Sequence, residues 1–193
     1  MSHLDTLDEA IERIGAEIGQ RLLEEQAVID LLDTIPGVSR KAAEIMVAEI
    51  GTTLERFPDA KHLASWAGMC PGHAESGGKR WSGRTRKGNV WLPQVLLEIA
   101  HVASKTKETY LAAQYRRIAA RRGKKRALVA LAHTILVIVY QILTRREPDQ
   151  ELGGTYFDER ERQRVEQRLV HRLERLGYQV TLQHSAPPQT ATA

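Results

Sequence analysis

The chain has 193 residues, of which 42% are hydrophobic and 27% are charged, a composition typical of a soluble globular protein. Its single cysteine, Cys70, excludes an intramolecular disulfide and favours a reducing compartment. The formal charge of +4 conceals a segregation, because residues 79–126 hold 14 Lys/Arg against two acidic residues, a local net charge of +12. A concentrated basic block of this kind indicates a polyanionic partner.

The first predicted element is an amphipathic helix within residues 1–30. Its apolar positions recur every three or four residues, with acidic residues between them; they are Leu4, Leu7, Ile11, Ile14 and Ile18. This heptad-like seam predicts the end of a coiled coil and a homo-oligomer, although a single helix lying on the domain surface is an equal alternative. The acidic start, MSHLDTLDEAIE, lacks the apolar core of a signal peptide. We therefore expect a cytoplasmic protein.

Residues 31–51, LLDTIPGVSRKAAEIMVAEIG, predict two helices joined by a tight turn. Pro36 and Gly37 interrupt the first helix, Ser39 can cap the second, and Gly51 ends it. The pattern resembles a helix-hairpin-helix motif, whose turn directs backbone N–H groups at a nucleic-acid phosphate. Gly37 and Ser39 are therefore candidate phosphate contacts. The usual motif has a second glycine at the position of Ser39, so a purely structural helical hairpin stays open.

The rest of a domain spanning residues 31–147 is also predicted to be helical. Residues 52–70 suggest two short helices separated by Pro58. Further helices are expected from the Val90–Pro93 turn to about Ser104, over residues 107–121 and over residues 127–144. The longest apolar run, residues 127–143, contains His133, Thr134 and Gln141 and is at the short limit for a bilayer span. We predict a buried helix there and no membrane partner.

Beyond the main domain, residues 148–182 predict a helical extension. Pro148, Gly153 and Gly154 indicate a linker, and a mixed-charge helix follows over residues 158–176. Residues 183–193 predict a disordered tail. The predicted fold class is therefore all-α: a helical domain with a helix-hairpin-helix-like motif, preceded by the end of a coiled-coil helix and followed by a C-terminal helix.

The segment PGHAESGGKRWSGRTRKGN, residues 71–89, is where chemistry is expected. Ser76 precedes two glycines, which let a backbone approach a ligand closely, and Lys79 and Arg80 follow. Cations beside a hydroxyl stabilise the charge that develops when it attacks a phosphodiester. The segment does not match a nucleotide-triphosphate P-loop, since glycine stands where that motif needs lysine. Residue chemistry alone leaves Ser82 as an equal candidate, and a passive phosphate clamp as the commoner case.

Several stretches together resemble the C-terminal domain of the transposases of insertion sequences numbered 110, 116 and 902. They are IPGVSRKAAEIMVAEIG, FPDAKHLASWAGMCPGHAESGGKR, SGRTRKGNVWL, KTKETYLAAQYRRIAARRGKKRALVALAHTILVIVYQIL and GGTYFDERERQRVEQRLVHRLERLGY. The resemblance spans roughly residues 30–180 in the same order. It implies a serine nucleophile just before the Gly-Lys-Arg element, which is Ser76 here. It also implies strand exchange through a covalent phosphoserine, which needs no ATP.

With Ser76 as nucleophile, the basic residues divide into two groups. Candidates for phosphate contact and charge stabilisation are Lys79, Arg80, Arg84, Arg86, Lys87 and Asn89. Candidates for holding the nucleic-acid backbone, with salt-sensitive affinity rather than sequence choice, are Arg116, Arg117, Arg121, Arg122, Lys124, Lys125 and Arg126. Pro93 stands where the family commonly has a basic residue, so one contact is expected to be lost.

The resemblance also implies partners. A complete family member has an N-terminal RuvC-like domain with four acidic metal ligands, joined by a coiled coil. This chain begins about where that coiled coil ends, so we expect a C-terminal piece with no metal site of its own, the Mg²⁺ belonging to the missing domain. It is expected to bind DNA and a structured guide RNA, and not to recombine alone. Two alternatives remain: a non-catalytic helix-hairpin-helix remnant or regulator, and a helical oligomerisation protein with an incidental basic face.

Overall fold

The computed structural model describes residues 3–70, 75, 76, 78–80 and 88–182, with the backbone alone for residues 75, 76, 79 and 80. The described residues form nine helices and one two-residue antiparallel strand pair, so the all-α prediction is confirmed. The helices are α1 (His3–Arg21), α2 (Gln26–Asp33), α3 (Arg40–Ile50), α4 (Ala60–Trp66), α5 (Leu92–Ala103), α6 (Tyr110–Arg122), α7 (Lys124–Arg145), α8 (Tyr156–Arg160) and α9 (Arg162–Glu174). The strands are β1 (Glu75–Ser76) and β2 (Lys79–Arg80). The chain divides into two compact units, Met1–Thr155 and Tyr156–Ala193.

The long helix α7 is the centre of the first unit. It packs against α2, α4, α5 and α6, and its inner face, which includes Leu131, Ile135 and Val139, is fully buried. By length and composition alone α7 could cross a membrane, the one such helix in the described part of the chain. The burial of one continuous stripe against four helices identifies it instead as a core helix, as predicted for residues 127–144.

Local sequence signals set most helix ends. Ser39 accepts a hydrogen bond from the backbone N–H of Ala42 (3.3 Å), which caps α3, and Gly51 ends that helix with a φ of 85°. Pro93 lies in the first turn of α5, where its missing N–H costs no helical bond. The helix expected just before Pro58 was wrong, because residues 52–57 form bends and turns.

The segment after α7 is fastened to the first unit rather than extended from it. Arg146 donates from Nη2 to the carbonyl of Thr52 (2.7 Å), and the backbone N–H of Asp149 donates to Oγ1 of Thr34 (2.9 Å). Glu151 accepts from the backbone N–H of Tyr110 through Oε1 (2.6 Å), at the start of α6. Burial and the nearby Glu151 carboxylate raise the pKa of Asp149. These contacts hold residues 146–151 against the ends of α2 and α3 and the start of α6.

Two helices leave apolar side chains in water. Helix α1 has no buried residue; its exposed seam consists of Leu4, Leu7, Ile11, Ile14 and Ile18. In the second unit α9 also has no buried residue; Leu169 and Leu173 on it, and Leu176 just after it, are exposed. The α1 seam lies where the sequence predicts it, while its pairing into a coiled coil stays a prediction.

Candidate nucleic-acid interface

The residues that flank the basic segment, residues 71–87, lie against one another. The backbone N–H of Asn89 donates to the carbonyl of Trp66 at the end of α4 (3.3 Å). A Cβ atom added to Gly88 would lie 2.4 Å from the nitrogen of Gly68 and 2.6 Å from both the carbonyl carbon of Ala67 and the oxygen of Trp66. Backbone atoms cannot rotate away, so only glycine fits at position 88. The basic segment therefore leaves and rejoins the domain at one place.

Asn89 joins this place to two helices. Its side-chain amide donates to Oε2 of Glu49 on α3 (2.6 Å), and its side-chain oxygen accepts from the backbone N–H groups of Trp91 and Leu92 (both 2.8 Å). The second pair of bonds caps the start of α5. Both ends of the amide thus have protein partners, and the phosphate contact expected of Asn89 stays a prediction. Sequence reasoning missed Glu49, which no local pattern connects to a residue so distant in the chain.

The backbone of the basic segment contains a minimal hairpin. Glu75 is opposite Arg80 and Ser76 is opposite Lys79 in an antiparallel register. Gly78, between the two strands, has a φ of 72°, a backbone conformation that favours glycine. The sequence predicts only a loop here; the register adds that the candidate nucleophile and the first candidate cation are cross-strand neighbours along the backbone.

The other predicted site residues of the basic segment lie outside the described part of the chain. Ser82, Arg84, Arg86 and Lys87 lie outside the described residues, as do the side chains of Ser76, Lys79 and Arg80. Their functional roles stay predictions.

A second group of cations forms the apex of the α6–α7 hairpin. Five exposed basic residues surround Gly123, whose φ is 84°; they are Arg121, Arg122, Lys124, Lys125 and Arg126. Arg116 is also exposed and Arg117 is half-buried. In the part of the chain that the structure describes, none of these five apex side chains pairs with a carboxylate. We call these five residues the basic apex.

The charge placement at the basic apex is unfavourable without an anion. Cations in the last turn of α6 complement the helix dipole, but Lys124, Lys125 and Arg126 occupy the first turn of α7, where the dipole is also positive. No side chain caps that end of α7, whereas Ser39 and Thr109 cap α3 and α6. A polyanion backbone would relieve this repulsion.

The turn between α2 and α3 has a clear structural role. Gly37 has a φ of 92°, and a Cβ atom there would lie 2.8 Å from the backbone nitrogen of Ala103 at the end of α5. The glycine thus permits close packing of the turn on α5. Ser39 is exposed, and its hydroxyl caps α3. The helical hairpin forms, and its contact with a phosphate stays a prediction.

The two predicted phosphate contacts on these turns are not adjacent. Gly37 packs on the last residue of α5, whereas Asn89 precedes its first residue. At 1.5 Å per residue, the helix between them is about 18 Å long. Gly37 and Asn89 therefore cannot contact the same phosphate, although an extended nucleic acid could touch both ends of α5.

The described residues offer no group of three or more His, Cys, Asp or Glu side chains that could hold a metal ion. His101 is exposed on α5, and His133 is half-buried on α7. Burial lowers the pKa of His133, which fits a neutral residue at the core boundary.

Comparison with known proteins identifies a family that matches part of this sequence. Residues 29–116 match the Transposase IS116/IS110/IS902 family, a range that runs from within α2 through α3, α4, the basic segment and α5 to the middle of α6. The resemblance to this family that the sequence indicates is thus supported over a little under half of the chain.

The chain is also similar to individual members. It is 32% identical over 122 residues to the transposase for insertion sequence element IS1111A of Coxiella burnetii (strain RSA 493 / Nine Mile phase I), covering 60% of this chain and 33% of that protein. It is 30% identical over 126 residues to the pilin gene-inverting proteins of Moraxella bovis and Moraxella lacunata, covering 61% of this chain and 37% of each of them. The matched region thus spans about a third of the length of these curated relatives.

Proposed function

We propose that this chain is the nucleic-acid-binding and nucleophile-bearing part of a DNA strand transferase. The observation that carries the proposal is the family match over residues 29–116, which includes Ser76 and the basic segment around it. The relatives are named as a transposase and as proteins that invert a pilin gene, and both names describe rearrangement of DNA. The unpaired cations of the basic apex support binding of a polyanion.

In the proposed reaction, Oγ of Ser76 attacks the phosphorus of a scissile phosphodiester. A bond forms between Oγ and phosphorus as the bond from phosphorus to one sugar oxygen breaks; the serine proton leaves, and the departing oxygen gains one. A sugar hydroxyl of another strand then attacks the phosphoserine and releases Ser76. The number of phosphoester bonds is unchanged, so no ATP is consumed. Lys79, whose backbone is opposite Ser76, and Arg80 stabilise the added negative charge.

The proposal extends to partners by family resemblance. DNA is the substrate, and a structured guide RNA supplies sequence choice while the protein contacts backbone and shape. A RuvC-like acidic domain completes the active site and holds Mg²⁺, so this chain alone binds without recombining. The setting is the bacterial cytoplasm, on the nucleoid. A non-catalytic nucleic-acid-binding module is the second candidate, favoured by the exposed basic apex, which can bind a polyanion without any nucleophile.

Neutralising the basic apex should weaken binding and make it less dependent on salt. In a variant with Arg121, Arg122, Lys124 and Lys125 replaced by glutamine, each lost phosphate contact should lower the slope of log affinity against log salt by about 0.9 for duplex DNA. Fluorescence anisotropy with a labelled duplex over a series of salt concentrations measures both quantities. The family function predicts a clear loss.

The matched control neutralises α9 instead. Arg164, Arg168 and Arg172 are also exposed but belong to the second compact unit rather than to the basic apex, and their glutamine variants should bind as the wild type does. If the wild type shows little affinity at low salt, or affinity that is indifferent to salt, the chain is an oligomerisation protein and the proposal is wrong.

The exposed seam of α1 is proposed to mediate self-association. Replacing Ile11 and Ile14 by aspartate should convert the oligomer to a monomer without unfolding the domain, because no residue of α1 is buried. Sedimentation equilibrium measures the mass, and circular dichroism checks the fold. Glu12→Gln, on the same helix but off the seam, is the control. A wild-type chain that sediments as a monomer contradicts the proposal.

A further inference from the structure

The start of α5 exposes two apolar side chains beside the end of the basic segment. Trp91 is 63% exposed and Val90 is 69% exposed. Trp66, in contrast, is half-buried and packs beside Phe57 with ring centroids 5.3 Å apart. A tryptophan in water forgoes the burial that its large apolar surface favours. An exposed ring at this position therefore suggests a partner that covers it.

The backbone beneath Trp91 is held on both sides. Its N–H donates to the side-chain oxygen of Asn89 (2.8 Å), and its carbonyl accepts from the N–H groups of Gln94 and Val95 (3.1 and 3.2 Å). The next residue, Leu92, is fully buried. The ring is thus exposed while its backbone is held by hydrogen bonds. Little backbone entropy is therefore lost when a ligand covers the ring.

The charge of the sequence that precedes Trp91 indicates the kind of partner. The sequence immediately before Gly88 carries five Lys/Arg residues between positions 79 and 87, and Gly88 is packed against the end of α4. Cations that hold a phosphate backbone, next to an aromatic face, are the combination that binds single-stranded nucleic acid. In a duplex, base faces are covered by neighbouring pairs and are not available to a surface ring.

We infer that Trp91 is a stacking platform for an unpaired base of a bound DNA strand, with Val90 as an apolar edge. The inference rests on the proposed nucleic-acid binding and adds a preference for unpaired bases to it. DNA is favoured over RNA because the proposed function makes DNA the strand that Ser76 attacks.

The test uses the full chain with Trp81→Phe, which leaves Trp66 and Trp91 as the emitting tryptophans. Short oligothymidylate should quench the exposed Trp91 fluorescence, whereas the same sequence in a duplex should not. Trp91→Ala should lower affinity for the single strand roughly tenfold, within the range of stacking on one aromatic side chain, and change duplex affinity by less than about twofold. Trp91→Phe, which keeps a ring, should retain most of the single-strand affinity.

Tyr178 is an exposed aromatic control, also 63% exposed, and Tyr178→Ala should change nothing. Equal weakening of single-strand and duplex binding by Trp91→Ala, or none, overturns the inference, as does stronger quenching by oligouridylate than by oligothymidylate. Salt-dependent binding without any response of Trp91 overturns this inference alone. Absence of salt-dependent binding by the wild type overturns the proposed function as well.

Discussion

Ser76→Ala is expected to abolish covalent attachment of DNA while leaving nucleic-acid affinity nearly unchanged. Removing the hydroxyl removes the only atom that can form the phosphoserine, and loss of a nucleophile typically costs at least about a thousandfold in rate. The phosphate contacts proposed for the cations do not involve this hydroxyl. The assay combines the chain with a RuvC-like domain of the family, the structured guide RNA, Mg²⁺ and labelled DNA. Protein-linked DNA is then quantified on a denaturing gel.

Ser82→Ala is the matched control, since Ser82 is the other serine of the basic segment. It should attach DNA as well as the wild type does. If Ser82→Ala loses attachment and Ser76→Ala keeps it, the nucleophile has been misassigned. If the wild type binds DNA with strong salt dependence but never attaches it in the complete mixture, the non-catalytic module is the better description.

Gly88→Ala is expected to produce the largest loss of stability among single-residue changes near the basic segment. The new Cβ would lie within 2.6 Å of three backbone atoms between Trp66 and Gly68, so the two chain segments must separate. The Asn89–Trp66 hydrogen bond is then lost, and the contact of Asn89 with Glu49 is weakened. Overpacking of this kind costs on the order of 3 kcal/mol, which lowers the Tm of a domain this size by about 6–12 °C.

Differential scanning calorimetry measures the effect, with Gly19→Ala as the control. Gly19 lies on α1 with nothing within 4 Å of an added Cβ, so the same change there should be neutral or slightly stabilising, because alanine favours helix. An unchanged Tm in Gly88→Ala would contradict the close approach of Gly88 to the end of α4. If the Gly88→Ala protein remains folded but attaches less DNA covalently, the position of the basic segment matters for the reaction.

Much of the fold follows from local rules. The Pro36–Gly37 break, the Ser39 cap, the Gly51 stop and the position of Pro93 all act within one helical turn of their own residue. The apolar run of α7 is at the short limit for a bilayer span and contains His133, Thr134 and Gln141, which predicts a buried helix. These predictions succeeded because each depends on contacts only a few residues apart. The wrong helix before Pro58 belongs to a segment whose length is too short for propensity to decide.

The candidate site was predictable in its chemistry but not in its geometry. By itself the sequence determined the charge segregation and the order of helices, because composition and spacing carry that information. The choice of Ser76 as nucleophile rests on the family resemblance and stays a prediction. Only the tertiary structure decided that Gly88 must pack on the end of α4, that Glu49 holds Asn89, that Gly37 and Asn89 lie at opposite ends of α5, and that Trp91 stays in water. Those facts depend on atoms brought together from distant parts of the chain, and no local pattern encodes which surfaces will meet.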